Sequence, residues 1–94
     1  MFALVTGASS GLGYEFAKQL SFMGYDIIAV ARRTDRLLAL SNELPTKVIP
    51  ITADLSKESE CHRLFEETKD KDIDREMSNK FFFMFDKVVS NINY

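Results

Sequence analysis

The chain has 94 residues, with 12 lysines and arginines against 14 aspartates and glutamates, for a formal net charge of −2. This length fits one small domain, and the absence of a basic excess argues against nucleic acid as a partner. The single cysteine, Cys61, cannot form an internal disulfide, so we expect a cytoplasmic protein. The apolar run Phe81–Phe85 is far too short to cross a bilayer, so no membrane partner is expected.

Three short apolar runs predict three buried β-strands. They are Phe2–Thr6, Asp26–Ala31 and Lys47–Thr52. Pro50 cannot donate a hydrogen bond to a neighbouring strand, so we place the third strand at the edge of the sheet.

Three helical patterns alternate with these strands. In the first, Leu12–Met23, the spacing predicts an apolar face made of Leu12, Phe16, Leu20 and Met23, with Ala17 beside them. Thr34 is the expected N-cap of the second helix, whose apolar stripe is Leu37, Leu40 and Leu44. Ser56 is the expected N-cap of the third, Lys57–Lys69, which buries Cys61, Leu64, Phe65 and Thr68.

The order β-α-β-α-β-α with short connections predicts an α/β protein with a parallel sheet and right-handed crossovers. The pattern holds over residues 1–70 and fails over residues 71–94, which read as a divergent or truncated tail. Ile73, Asp74 and Asn79 are one faint echo of a fourth strand, and Val88–Asn91 is another. The first strand is therefore expected to present an open edge, through which the chain could self-associate.

The segment Thr6-Gly7-Ala8-Ser9-Ser10-Gly11-Leu12-Gly13 lies between the first strand and the first helix. Gly7 allows a sharp turn, Gly11 lets a diphosphate approach the backbone, and Gly13 lets the helix pack closely on the sheet. The first N–H groups of the helix and the positive end of its dipole favour phosphate binding there. The alternative is a glycine- and serine-rich turn without a ligand.

This segment resembles the T-G-x-x-x-G-x-G hallmark of the short-chain dehydrogenase/reductase family and matches it at every defined position. The pair Asp54-Leu55 is similar to the family's acidic-apolar pair at the adenine end of the cofactor. The resemblance covers about residues 2–70 and implies a Rossmann-like three-layer (αβα) fold, incomplete at three strands and three helices. It implies cofactor binding by Gly7, Ser9, Ser10, Gly11, Leu12, Gly13, Asp54 and Leu55.

Arg32 and Arg33 follow the second strand, where an NAD site usually carries an acidic residue for the ribose 2′-hydroxyl. Two guanidinium groups would instead attract a 2′-phosphate, so we expect NADP rather than NAD. Alternatively, one arginine stacks on the adenine, or both are solvated loop residues. The nearby Asp35 weakens the argument for a phosphate site.

The family's catalytic Y-x-x-x-K pair has no counterpart at its usual place. Tyr14 and Lys18 spell that pattern, but they lie in the first helix directly after the glycine segment, so we interpret the match as a coincidence. We therefore expect an NAD(P)-dependent oxidoreductase fragment that keeps the NADP-binding half and lacks the catalytic residues. The alternative is a nucleotide-binding or non-functional product without turnover.

A reading from a different class treats Gly7–Gly11 as the G-x-S-x-G elbow of a serine hydrolase, with Ser9 as the nucleophile. The single histidine, His62, is predicted on the third helix, away from that elbow. We therefore favour a solvated His62 and a buried, unreactive Cys61. One histidine beside one cysteine does not make a metal site.

Overall fold

A computed structural model of the chain describes residues 1–9 and 11–74. Strands and helices alternate in the predicted order, which gives the following elements: β1 (Phe2–Thr6), α1 (Gly11–Phe22), β2 (Asp26–Ala31), α2 (Thr34–Glu43), β3 (Val48–Thr52) and α3 (Glu58–Thr68). The first two strands have the predicted bounds, and β3 begins one residue later than predicted. No helix within these ranges has the length and apolar composition needed to cross a bilayer.

The three strands form a parallel sheet in the order β1-β2-β3, with Thr6 paired to Val30 and Ala31 paired to Thr52. Among the described strands β3 therefore lies at an edge, as Pro50 predicted. Ala53 N–H donates to the Ala31 carbonyl at 3.0 Å, and hydrogen-bonding positions alternate along a parallel strand. Residue 50 therefore faces away from β2, so the missing N–H of proline removes no bond from the sheet.

The sheet is covered on both faces, which confirms the three-layer arrangement. Successive strand residues alternate between two apolar clusters, as the pleat requires. On one face Ala3, Val5, Ile27 and Ala29 pack with residues of α1 and α2, including Leu20, Leu37 and Leu40. On the other face Leu4, Ile28, Val30 and Ile51 pack with Cys61 and Leu64 of α3.

The predicted apolar face of α1 is wrong at both of its ends. Leu12 and Met23 are 73% and 64% exposed, whereas Ala17 and Leu20 are fully buried. Phe16 packs against the same cluster, so the middle of the predicted face is correct. Met23 lies beyond the end of α1, and Leu12 lies in its first turn beside the glycine segment.

Both predicted N-caps are also wrong. Arg33 and Lys57 are the residues that flank the two helix starts, and neither makes a side-chain capping bond. The Thr34 hydroxyl instead shares a hydrogen bond of 2.6 Å with the Thr52 hydroxyl at the end of β3. The Ser56 hydroxyl donates to Asp54 Oδ1 at 2.7 Å. The first bond joins the start of α2 to the end of β3, and the second lies within the connection between β3 and α3.

The chain returns to the sheet beside β1 after α3. Phe2 N–H donates to the Asp72 carbonyl at 2.7 Å, and Asp74 N–H donates to the Phe2 carbonyl at 2.8 Å. These bonds form a parallel bridge between Phe2 and Ile73, the residue that the sequence placed in the echo of a fourth strand. The other predicted features of that region, Asn79, Phe81–Phe85 and Val88–Asn91, lie outside the described residues.

Candidate dinucleotide-binding site

The predicted site residues converge at the carboxyl edge, which we define as the ends of the three parallel strands and the loops that follow them. Two bonds tie these loops together beyond the strand pairing. Ala8 N–H donates to the Val30 carbonyl at 3.2 Å, and Ala53 N–H donates to the carbonyl of Ala31. The glycine turn, the arginine pair and the Asp54-Leu55 pair are therefore consecutive neighbours along one edge.

The turn after β1 requires glycine for its backbone conformation. Gly7 has a φ of +62° and Gly11 a φ of +60°, a region that side chains with a Cβ rarely adopt. A Cβ added at Gly11 would meet no atom of the described residues within 4 Å, apart from its chain neighbours and its own helix backbone. The backbone there faces open space, which is the condition that a ligand needs to approach it closely.

Gly13 serves a different purpose, as the sequence predicted. A Cβ at this position would lie 2.1 Å from the Gly7 carbonyl oxygen and 2.8 Å from that of Thr6. The first turn of α1 therefore packs directly on the end of β1. This contact fixes where the start of the helix lies relative to the glycine turn.

The first turn of α1 is the only helix start among the described residues that carries no acidic side chain. Asp35 lies in the first turn of α2, and Glu58 and Glu60 lie in that of α3. The first N–H groups of a helix lack intrahelical partners and carry partial positive charge. In α1 no acidic side chain of the first turn neutralises that charge, and the nearest one in the helix, Glu15, follows this turn. Leu12 is exposed on this turn, and Ser9 is half-buried just before it, while Ser10 lies outside the described residues.

The two arginines after β2 differ in their surroundings. Arg33 Nη2 lies 3.5 Å from Asp35 Oδ2, and both side chains are mostly exposed. Desolvation raises the pKa of Asp35, but the Arg33 charge and backbone N–H donors outweigh it, so the pKa is below its ordinary value. Arg32 is exposed and makes no ion pair within the described residues. Its charge contributes to lowering the pKa of Asp54, which places it near the end of β3.

Asp54 builds the turn after β3. Its Oδ1 accepts hydrogen bonds from the Ser56 hydroxyl at 2.7 Å and from Ser56 N–H at 3.1 Å. These bonds, the hydroxyl first, lower the pKa of Asp54. Leu55 packs against the apolar cluster under α3, and its carbonyl accepts from Cys61 Sγ at 3.4 Å. Cys61 is buried, and desolvation raises the pKa of its thiol, so it is the core residue that we predicted.

Sequence reasoning missed two residues that hold this turn, Glu60 and Arg63. Glu60 Oε1 accepts from Asp54 N–H at 3.4 Å, and Arg63 donates to the carbonyl of Thr52. The spacing of Glu60, Arg63 and Glu67 along α3 indicates ion pairs on one helix face. Nothing in that spacing reveals the bonds to the backbone of the preceding strand end.

Tyr14 and His62, the residues that the two alternative catalytic patterns single out, each have an acidic neighbour. The Tyr14 hydroxyl donates to Glu43 Oε2 at 2.6 Å, and this bond raises the pKa of the phenol. His62 is exposed on α3, with Nε2 3.8 Å from Glu58, and the described residues contain no hydrogen bond between it and Ser9. Nor do they contain a cluster of three residues suited to hold a metal ion.

A family model described as short chain dehydrogenase matches residues 1–74. The chain belongs to the short-chain dehydrogenase family. This finding confirms the family that the glycine motif and Asp54-Leu55 predicted. The match includes Ile73, whose bridge to Phe2 extends the sheet beyond β1.

The sequence of the chain is similar to those of several oxidoreductases. A probable NADP-dependent dehydrogenase of Dichelobacter nodosus is 42% identical over 66 residues, which are 70% of this chain and 62% of that protein. A very-long-chain 3-oxoacyl-CoA reductase of Aspergillus terreus is 41% identical over 78 residues, 76% of this chain and 22% of that protein. The chain therefore spans less than two thirds of the length of these relatives.

Among solved structures, a short-chain dehydrogenase of Sphingobium yanoikuyae in complex with NADPH superposes with a TM-score of 0.67 at 31% identity. The similarity covers 76% of this chain and 30% of that one. The α/β Rossmann-like fold of the described residues is thus the fold of the corresponding part of a short-chain dehydrogenase.

Proposed function

We propose that the carboxyl edge binds NADP in preference to NAD. Dinucleotide binding is supported by the start of α1, which follows a positive-φ glycine turn and has no acidic residue in its first turn. The preference for NADP rests on the two guanidinium groups after β2, which would attract a 2′-phosphate. Arg32, free of an ion pair within the described residues, adds positive charge one strand away. The Dichelobacter relative, described as NADP-dependent, and the Sphingobium structure with NADPH support the same cofactor.

The diphosphate, the 2′-phosphate and the adenine of the dinucleotide each have matching groups on this edge. The diphosphate would lie on the N–H groups of the turn and first helical residues, formed by Gly7, Ser9, Ser10, Gly11, Leu12 and Gly13. The 2′-phosphate would lie at Arg32 and Arg33, and the adenine at Asp54 and Leu55. The open space at Gly11 fits this placement, because a diphosphate on backbone amides needs that approach. When bound, the cofactor supplies a hydride donor or acceptor.

For the 94-residue chain itself, we propose binding without hydride transfer. The family's general acid is a tyrosine hydroxyl, but here the Tyr14 hydroxyl is held by Glu43 and that of Tyr25 donates to Asp74 Oδ2 at 2.8 Å. The first bond joins α1 to α2, and the second joins the residue before β2 to the segment that follows α3. Oxidoreduction is proposed for a protein that joins this half to the rest of a short-chain dehydrogenase. NADPH that binds to the purified chain but is not oxidised with carbonyl substrates would support binding alone, and turnover would overturn it.

Arg32 provides the sharpest test of cofactor preference. Arg32→Ala should weaken NADP binding by about tenfold, because a charge-assisted bond to the 2′-phosphate is lost, and should leave NAD affinity within about twofold. The measurement is isothermal titration with both cofactors. Lys69→Ala, which removes an equal charge from the far end of α3, is the matched control. Equal losses for NADP and NAD would contradict a 2′-phosphate site at Arg32.

Cytoplasmic location and self-association through the sheet edge stay predictions. The second is checked by sedimentation of the purified chain. A monomer with a sharp, cooperative thermal transition would contradict it.

A further inference from the structure

Two side chains of α3 reach back to the backbone at the end of β3. Arg63 donates through Nη2 to the carbonyl of Thr52, and Glu60 accepts from Asp54 N–H through Oε1 at 3.4 Å. These contacts lie on either side of Ala53, which is buried and pairs with the end of β2. The segment that leads to the proposed adenine subsite is thus held at two consecutive points.

The two side chains also hold each other. Arg63 Nε donates to Glu60 Oε2 at 2.9 Å, and Arg63 Nη1 donates to Glu67 Oε1 at 3.2 Å. The bond to Arg63, followed by that from Asp54 N–H, lowers the pKa of Glu60, so the carboxylate stays charged at neutral pH. With 29% and 39% of their side chains exposed, Glu60 and Arg63 are fixed by bonds on several sides rather than by burial.

We propose that Glu60 and Arg63 are a positioning pair that sets the affinity of the carboxyl edge for the adenosine end of the cofactor. This inference rests on the proposed function. The pair acts through the backbone of Thr52 and Asp54, by presenting the Asp54-Leu55 turn already ordered beside the end of β2. A preorganised turn binds more tightly because less ordering is needed when the ligand arrives.

The charge of Glu60 alone and its positioning role predict opposite changes in ligand affinity when the side chain is removed, so an experiment can distinguish them. Removing a carboxylate near an anionic ligand should strengthen binding, whereas removing a positioning group should weaken it. Glu67 gives a matched control, because it is also a carboxylate partner of Arg63 on α3 but makes no bond to the turn. Glu60→Asp keeps the charge and shortens the reach, and Glu60→Gln keeps an acceptor for Asp54 N–H.

The experiment is an NMR shift titration of the full chain and its variants with 2′,5′-ADP, which carries the adenosine end, and separately with nicotinamide mononucleotide. Glu60→Ala and Glu60→Asp should each weaken 2′,5′-ADP binding about five- to tenfold, the size expected for one hydrogen bond. Glu67→Ala should stay within about twofold of the parent chain. Glu60→Gln keeps one acceptor oxygen for Asp54 N–H but loses the one that accepts from Arg63 Nε, so its affinity should fall between those of the parent chain and Glu60→Ala. Nicotinamide mononucleotide should bind all of them equally.

Unchanged or tighter 2′,5′-ADP binding in Glu60→Asp would overturn the positioning role, as would an equal loss in Glu67→Ala or an equal loss for both ligands. If Glu60→Ala does not fold, Glu60→Asp and Glu60→Gln decide the matter alone. Failure of the parent chain to bind 2′,5′-ADP would overturn the proposed function together with this inference. Binding by the parent chain with unaffected Glu60 variants would overturn this inference only.

Discussion

Gly13 occupies a position where a single methyl group has no room. The atoms that it would meet, the carbonyl oxygens of Gly7 and Thr6, belong to the backbone and cannot rotate away. Gly13→Ala should therefore destabilise the fold by about 3 kcal/mol, at the upper end of the usual cost of overpacking, despite the better helix propensity of alanine. Urea denaturation followed by circular dichroism measures this loss.

Gly11→Ala is the matched control for that substitution. Its Cβ would meet open space, so the only cost is the left-handed backbone conformation, about 1 kcal/mol. Gly13→Ala therefore measures the cost of a steric clash, and Gly11→Ala measures the cost of a left-handed backbone conformation. A Gly13→Ala chain as stable as the Gly11→Ala chain would contradict the close contact between α1 and β1.

Asp35 pairs with Arg33 and would compete with the 2′-phosphate of the proposed cofactor for it. Because both partners of this pair are mostly exposed, the pair adds little stability, and Arg33 can leave it at small cost. Asp35→Asn removes a negative charge beside the proposed 2′-phosphate and should raise NADP affinity about two- to threefold, with NAD affinity little changed. Isothermal titration measures both. Glu66→Gln on α3 makes the same charge change at a remote place and should alter neither affinity.

The turn from Asp54 to Lys57 links the end of β3 to α3, and its stability depends on pH. The hydrogen bonds from Ser56 lower the pKa of Asp54 in the folded protein. Because the folded pKa lies below the unfolded value, the stability gained is present above about pH 4 and is lost as the pH falls through the folded pKa. Ser56→Ala should therefore destabilise the chain at neutral pH, and the difference should shrink toward pH 3.

Urea denaturation of Ser56→Ala and the parent chain across this pH range measures that difference. A carbon-13 titration of the Asp54 carboxyl should show its pKa move upward in the variant. A difference in stability that is the same at acid and neutral pH would assign the role of Ser56 to packing. Thr46 precedes β3, and its hydroxyl bonds to Ser21 and to the carbonyl of Tyr25 rather than to a carboxylate. Thr46→Ala is therefore a control whose effect on stability should not vary with pH in this way.

The strands could be predicted from sequence because each is a short apolar run that ends at the carboxyl edge. Phe2–Thr6 and Asp26–Ala31 have the predicted bounds, and Pro50 located the edge strand correctly. The predicted apolar face of α1 holds in its middle, at Phe16 and Leu20, and fails at Leu12 and Met23, which lie at or beyond the ends of the helix. The role of Thr34 was missed because its partner, Thr52, lies at the end of β3. The role of Ser56 was missed because its hydroxyl bonds to Asp54, two residues earlier, instead of capping the helix.

The candidate site residues were predicted from the glycine motif, from the charge of the arginine pair and, for Asp54-Leu55, from the family resemblance. The structure places the loops that carry them beside one another at the carboxyl edge, and their part in binding stays a prediction. The sequence could not distinguish Arg32 from Arg33, because the pair between Arg33 and Asp35 depends on side-chain rotamers. It also could not reveal Glu60 and Arg63, because their bonds to Asp54 and Thr52 reach backbone atoms outside the helix.

At the scale of the whole molecule, the sheet is covered on both faces and differs at its two sides. On one side, β3 presents a strand in which Pro50 removes an outward donor, and this discourages pairing with another chain. On the other side, β1 is joined to Ile73 by a parallel bridge, and Tyr25 adds a bond to Asp74. Because the three strands are parallel, the loops that follow them all lie at the carboxyl edge.

Thermal denaturation of the full chain with increasing NADP, and separately NAD, tests the central claim most directly, because only a ligand of the folded state raises the midpoint. At a concentration one hundred times the dissociation constant, a ligand stabilises the fold by about 2.7 kcal/mol. For a domain of this size that raises the midpoint by roughly 10 °C or more. We predict such a rise with NADP and a smaller one with NAD at equal concentration. A midpoint that millimolar NADP leaves unmoved, or that NAD raises further, would contradict an NADP site at the carboxyl edge.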